Sequence, residues 1–213
     1  MTIRHHLTDT LLMAYSAGAL PEAFALIAAT HISMCDECRA RSEAFDTLGG
    51  AVVQATVADM AEGSLAACMA RIDTMPPPRA APRRRDGILP APLVDYVGGG
   101  LGSVKWRSVG LGAKQAILRT SDEGATVRLL AIPAGVAMPD HSHRGIELTL
   151  VLQGAFRDQT DRFGVGDVEV ADDSLEHTPV AEAGQTCICL AATEGPLRFK
   201  TLLPRLAQPF FRI

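Results

Sequence analysis

Gly135-Val136-Ala137-Met138-Pro139-Asp140-His141-Ser142-His143-Arg144-Gly145-Ile146-Glu147 is the stretch on which the fold turns, and it continues through Leu148-Thr149-Leu150-Val151-Leu152-Gln153 to Gly154. Side chains alternate along an extended segment, so His141 and His143 point to the same side. Glu147 joins them if the intervening turn keeps that parity. Imidazole nitrogens plus a carboxylate oxygen suit Zn, Fe, Mn, Ni or Cu without choosing among them. A distant His177, following Leu175-Glu176, can close the set from a neighbouring strand.

Outward from this stretch the periodicity stays at two. Ala125 to Ile132, Glu147 to Leu152, Asp167 to Val170, Cys187 to Ala191 and Leu197 to Leu203 read as short strands, parted by glycines at the spacing of an antiparallel sandwich or barrel. Upstream, Met75-Pro76-Pro77-Pro78-Arg79-Ala80-Ala81-Pro82-Arg83-Arg84-Arg85, with Pro90 and Pro92 close behind, reads as an extended, solvated linker. Before it the pattern is helical. Thr8 or Asp9 caps a first helix that Gly18 ends, and Pro21 opens a second carrying Phe24, Ile27, His31 and Met34. A third runs from near Asp36 to the Gly49-Gly50 pair, and Leu65, Cys68, Met69 and Ile72 mark a fourth. The expected architecture is therefore two domains: a small all-α, four-helix domain over residues 1–75, a Pro/Arg-rich linker over 76–94, and an all-β domain over 95–213.

With 213 residues and 47% hydrophobic side chains, the chain has enough apolar material for a core, which excludes wholesale disorder. Ala23 to Met34 is too short and too interrupted to span a bilayer, and Met1 to Thr10 lacks the apolar region of a signal peptide, so the expectation is a cytoplasmic protein with no membrane partner. Residues 1–75 carry a net −5, the linker through Asp86 +3, and the remainder −2. Neither domain has the positive excess that binding a phosphate backbone needs, so direct nucleic-acid binding is not expected. An acidic N-terminal half fits a basic protein partner better.

The helical half holds a second constellation. His31 and Cys35 lie four apart at a helix end, and Cys38 follows at the spacing that lets two thiolates reach one tetrahedral ion. Three such ligands in eight residues, in a domain too small to be stable unaided, point to a structural zinc. His5 and His6 are the two available fourth donors; proximity to the first helix favours His6, though spacing separates the two poorly. Cys68 reads as a small core residue. Cys187 and Cys189 read as core residues slightly ahead of redox thiols, and Trp106 and Phe210-Phe211 as packing residues.

The His31-x-x-x-Cys35-x-x-Cys38 pattern, preceded by a histidine and set among four short helices, resembles the zinc-binding anti-sigma domain, whose ligands fall on His6, His31, Cys35 and Cys38. That resemblance selects His6 over His5. Gly135, His141, His143, Glu147 and Gly154 resemble the first cupin motif, implying a jelly-roll barrel with zinc or another divalent transition metal at His141, His143, Glu147 and His177. The second cupin motif keeps Gly166 and His177 but has Asp172-Asp173-Ser174 where that family has Pro-x-Gly, and Ala181 where it has Asn. The pair of domains resembles the ChrR-type anti-sigma factors. This implies sequestration of an extracytoplasmic-function sigma factor, no enzymatic activity, and release on an oxidative signal, singlet oxygen in that family. The alternative is a metal-dependent cupin enzyme, a dioxygenase or isomerase, with a helical zinc-binding appendage. A DNA-binding regulator fits worst, because the zinc module is acidic.

Overall fold

Thr8 starts the first helix, α1 (Asp9–Ser16): its hydroxyl accepts the Leu11 N–H at 3.3 Å, one of the donors that a helix start leaves over. Pro21 precedes α2 (Glu22–Ile32), Cys35 precedes α3 (Asp36–Ala55), and α4 (Ser64–Thr74) follows after an irregular stretch. This computed structural model describes residues 2–76, 87–121, 124–142, 144–196 and 198–199. The linker arginines, Phe210-Phe211 and His143 lie outside the described residues.

Three features differ from the sequence expectation. Gly49-Gly50 does not stop α3, which runs on to Ala55; two glycines weaken a helix by about 1 kcal/mol each but do not end one that Ala51-Val52-Val53-Gln54-Ala55 continues. The extended linker does not reach Pro92. Instead α5 (Ala91–Val97) begins beside Pro90, with Pro92 in its first turn, where a missing N–H leaves no hydrogen bond unmade, and it buries Leu93 and Val94. Cys68 is exposed rather than core, because α4 buries none of its residues.

The barrel comprises β1 (Arg107–Gly110), β2 (Ala113–Leu118), β3 (Thr126–Ile132), β4 (His141–Ser142), β5 (Glu147–Gln153), β6 (Ala155–Arg157), β7 (Arg162–Gly164), β8 (Val168–Ala171), β9 (Glu176–His177), β10 (Val180–Ala181), β11 (Cys187–Thr193) and β12 (Arg198–Phe199). The larger sheet has the order β1-β2-β3-β11-β5-β8, and two three-stranded sheets, β10-β6-β7 and β12-β4-β9, complete the cupin. All the pairings are antiparallel.

Alternation sorts the larger sheet into two buried faces. Val127, Leu129, Leu148, Leu150, Leu152, Val168, Ile188, Leu190 and Ala192 join Leu12, Phe24, Ile27 and Leu93 in one cluster, so α1, α2, α5 and the start of α3 share a core with the sheet's outer face. The opposite face contributes Ile132, Val151, Cys187 and Cys189 to a second cluster with Phe156 and Phe163 inside the barrel. Burial on both faces explains why β5 and β11 are buried at nearly every position and why their middles are so apolar. Trp106 packs against the first cluster, and the Cys187 and Cys189 thiols, both free, lie 3.4 Å apart in the barrel core.

Candidate metal centres

Three chain segments bring the first donor set together. His6 comes from the extended N-terminal segment, His31 from the last turn of α2, Cys35 from the N-cap of α3 and Cys38 from its first turn. Their candidate ligand atoms all lie within 4.8 Å of one another. His6 Nδ1 is 3.3 Å from Cys35 Sγ and 3.6 Å from Cys38 Sγ, while its Nε2 faces Glu37 Oε2 at 3.5 Å. Cys35 Sγ accepts the Cys38 N–H at 3.4 Å, which aims the sulfur at the start of α3. His5 does not join the set: its ring packs on Phe163 at 4.5 Å and faces Asp161.

His31 tests the fit to a cation. Its Nδ1 lies 2.9 Å from the Gly166 carbonyl, which fixes that nitrogen as the N–H donor, and Nε2 is then buried with no hydrogen-bond partner. Burial pushes the ring down to about 4, so the Nε2 lone pair stays available. Burial, reinforced by Cys35, likewise pushes the Cys38 thiol up to about 11. A buried neutral imidazole and a buried thiol beside a second thiol form a set that a soft or borderline divalent cation satisfies, by replacing protons and filling the orphaned lone pair.

The second set lies in the barrel. β4 pairs with β9 so that His141 sits opposite His177, with ring centroids 4.7 Å apart, and Glu147 joins them from the start of β5. His141 Nδ1 lies 2.8 Å from the Pro139 carbonyl, and His177 Nδ1 lies 2.9 Å from Asp158 Oδ2 and 3.1 Å from Glu169 Oε1. Each ring thus has Nδ1 engaged by an outer acceptor, the kind of contact that orients metal-binding histidines. Burial disfavours the charged His177 ring, but Glu169, ahead of Asp158 and Glu147, overrides it and lifts the ring to about 9. Burial also lifts Glu169 to about 7 against the pull of His177. Asp158 and Glu169 were not singled out from the sequence; the signal available was the charged Glu169 between the valines of β8.

Between the two sets runs one short segment. The Gly166 carbonyl holds His31; Asp167 Oδ1 accepts the N–H groups of Arg4 at 2.7 Å and His5 at 3.0 Å; the Val168 N–H donates to the His5 carbonyl at 3.1 Å; Glu169 reaches His177. Gly166 has φ +92°, and a Cβ there would meet Ile3 at 2.7 Å, so the close approach of the N-terminal segment requires glycine.

Comparison with known proteins places these features. Residues 99–197 match the ChrR cupin-like domain family. The anti-sigma-E factor ChrR of Cereibacter sphaeroides is 61% identical over 214 aligned residues, covering 100% of both chains. In the crystal structure of Rhodobacter sphaeroides SigE in complex with the anti-sigma ChrR, the matching chain is 58% identical with a TM-score of 0.80, over 90% of this chain and 99% of that one.

Proposed function

The chain belongs to the ChrR family of anti-sigma factors, and from that premise we propose how it acts. It is a regulatory protein and not an enzyme, and it sequesters an extracytoplasmic-function sigma factor. Residues 1–75 carry that interaction, a linker that ends before α5 connects, and the remainder form the cupin sensor. One zinc, held by His6, His31, Cys35 and Cys38, ties the N-terminal segment to α2 and α3 in a closed structural site. His141, His143, Glu147 and His177 hold zinc or another divalent transition metal in the cupin. An oxidative signal at the cupin, singlet oxygen by family resemblance, lowers the affinity for the sigma factor. The setting is the cytoplasm, where sigma factors meet RNA polymerase; among the described residues no helix is long and apolar enough to cross a membrane.

The observation that carries the sigma-binding surface is α4. None of its eleven residues is buried, yet Leu65, Met69 and Ile72 are apolar and more than half exposed. Leu48, Val52 and Val53 extend the exposed apolar surface along α3. Apolar area of this extent is normal where a partner covers it and a liability where none does. The acidic charge of residues 1–75 adds steering toward a basic partner. Met69→Asp/Ile72→Asp tests the assignment. The variant should keep the wild-type melting temperature, since exposed substitutions cost about 0.5 kcal/mol or less, while its affinity for SigE of Rhodobacter sphaeroides falls at least about tenfold in a titration. Unchanged affinity in the folded variant would remove α4 from the interface.

A further inference from the structure

The barrel interior holds a charge that neither donor set uses. Arg128 is an inward residue of β3 and is only 6% exposed. One terminal nitrogen donates to Gln115 Oε1 at 3.2 Å and the other to Thr126 Oγ1 at 2.9 Å. Both acceptors are neutral, so they orient the guanidinium without balancing its charge. Among the described residues Arg128 makes no ion pair. A guanidinium does not shed its proton in a protein, and a buried charge without a counter-ion is costly. The carboxylate whose field reaches it is Glu147, which belongs to the donor set around His141 and His177.

Arg128 lines a cavity of about 90 Å³ whose other walls include Leu130, Ile132, Met138 and Phe156. The two acidic residues on the same wall face elsewhere. Glu169 Oε1 is 3.1 Å from His177 Nδ1, and Glu147 Oε1 accepts the Thr149 hydroxyl at 3.0 Å. What remains is a cationic fork at one side of a small apolar chamber. A guanidinium prefers planar anions that accept two parallel N–H bonds, and the apolar walls reward a short hydrocarbon tail.

We propose that this cavity binds a small organic carboxylate, with its head on Arg128 and its tail against Leu130, Ile132 and Phe156. The chamber has room for several waters, a scale that suits an acid of two to four carbons. Inorganic anions such as phosphate would leave the apolar walls unused. The inference does not rest on sigma binding, and it is read without a sigma factor.

The test is a calorimetric titration of the full-length, zinc-loaded protein with acetate, propionate and butyrate, and with propionamide and phosphate as controls. Propionate should bind saturably in the millimolar range or tighter, with propionamide and phosphate at least about tenfold weaker. Arg128→Gln should weaken propionate at least about tenfold while metal content per chain stays unchanged, which separates the arginine from direct capture by the cupin metal. Should Arg128→Gln fail to fold, propionate labelled at its methyl carbon decides instead on the wild type, through magnetisation transfer from its methyl protons to the Leu130 and Ile132 methyls. No saturable binding below about 20 mM, equal binding of propionamide or phosphate, undiminished binding in a folded Arg128→Gln, or no transfer to those methyls would overturn the proposal.

Discussion

Asp167 concentrates at one residue the contact between the helices and the barrel. Its Oδ1 accepts the N–H groups of Arg4 and His5, and its Oδ2 accepts that of Gly164 at 2.7 Å. Asp167→Ala leaves three donors without their acceptor, at about 1 kcal/mol or more each where water cannot replace it. It also frees the segment that delivers His6 to Cys35 and Cys38. Zinc affinity at the helical site should fall about 10- to 100-fold, read by competition with a chromophoric chelator, while cupin metal content is unaffected. Equal affinity would mean that the ligands hold their geometry without the barrel. The donor residues themselves are legible in the sequence because local spacing, four along a helix or two along a strand, puts side chains on one face. Gly166 was legible only as a motif glycine, and neither its contact with His31 nor that of Asp167 with Arg4 could be read, because those partners lie 135 and 163 residues away.

At the scale of elements, the legible part was periodicity and the illegible part was what covers each face. The strands of the larger sheet were visible as runs of two-fold pattern, yet Leu148-Thr149-Leu150-Val151-Leu152 and Cys187-Ile188-Cys189-Leu190-Ala191-Ala192 are apolar at nearly every position. That excess was the sign of a second packing layer, which α2 and α5 supply. Conversely, the amphipathic pattern of α4 suggested core membership, but amphipathicity does not say whether the covering partner is in the same chain. One contact that fixes α2 has a pH signature. The Glu22 carboxylate accepts the Tyr96 hydroxyl at 2.7 Å, the Ser121 N–H at 2.6 Å and the Ser121 hydroxyl at 2.5 Å. These bonds, Ser121 foremost, hold the carboxyl down at about 2. A lowered folded pKa stabilises above the unfolded value, near 4.5, and that contribution is lost as pH falls toward 2. The protection of the Ser121 amide, relative to its intrinsic exchange rate at each pH, should therefore fall between those limits, and Glu22→Gln should abolish that added pH dependence. Thiol ligands also protonate in acid, so the difference between the two proteins is the decisive quantity. Identical profiles would show that Glu22 does not hold this contact in solution.

For the whole molecule, the consequence is that a signal in the cupin need not travel through the Pro/Arg-rich linker. Gly166-Asp167-Val168-Glu169 touches both donor sets: Glu169 steadies His177 inside the barrel, and two to three residues away Gly166 and Asp167 hold His31 and the segment bearing His6. An oxidised cupin ligand, His177 above all, displaces Glu169 rather than merely leaving it, and β8 passes that displacement to the helical site and through it to the surface formed by α3 and α4. Coupling between sites is typically about 1–3 kcal/mol, enough to change sigma affinity about 5- to 150-fold. This path separates two properties that a single-site mechanism would join. Basal inhibition depends on the zinc clip and the helices, which the cupin ligands do not touch. Induction depends on the cupin ligands being present to be altered. His141→Ala/Glu147→Ala should therefore inhibit the sigma factor as the wild type does in a sigma-dependent reporter, yet respond to singlet oxygen with a small fraction of the normal induction. His177→Ala, which leaves no ring to be oxidised against Glu169, should act likewise. Full induction in a stable double variant would place the sensing chemistry outside the cupin metal site, and high reporter activity before the signal would mean that the cupin metal is needed simply to hold the helices in their binding form.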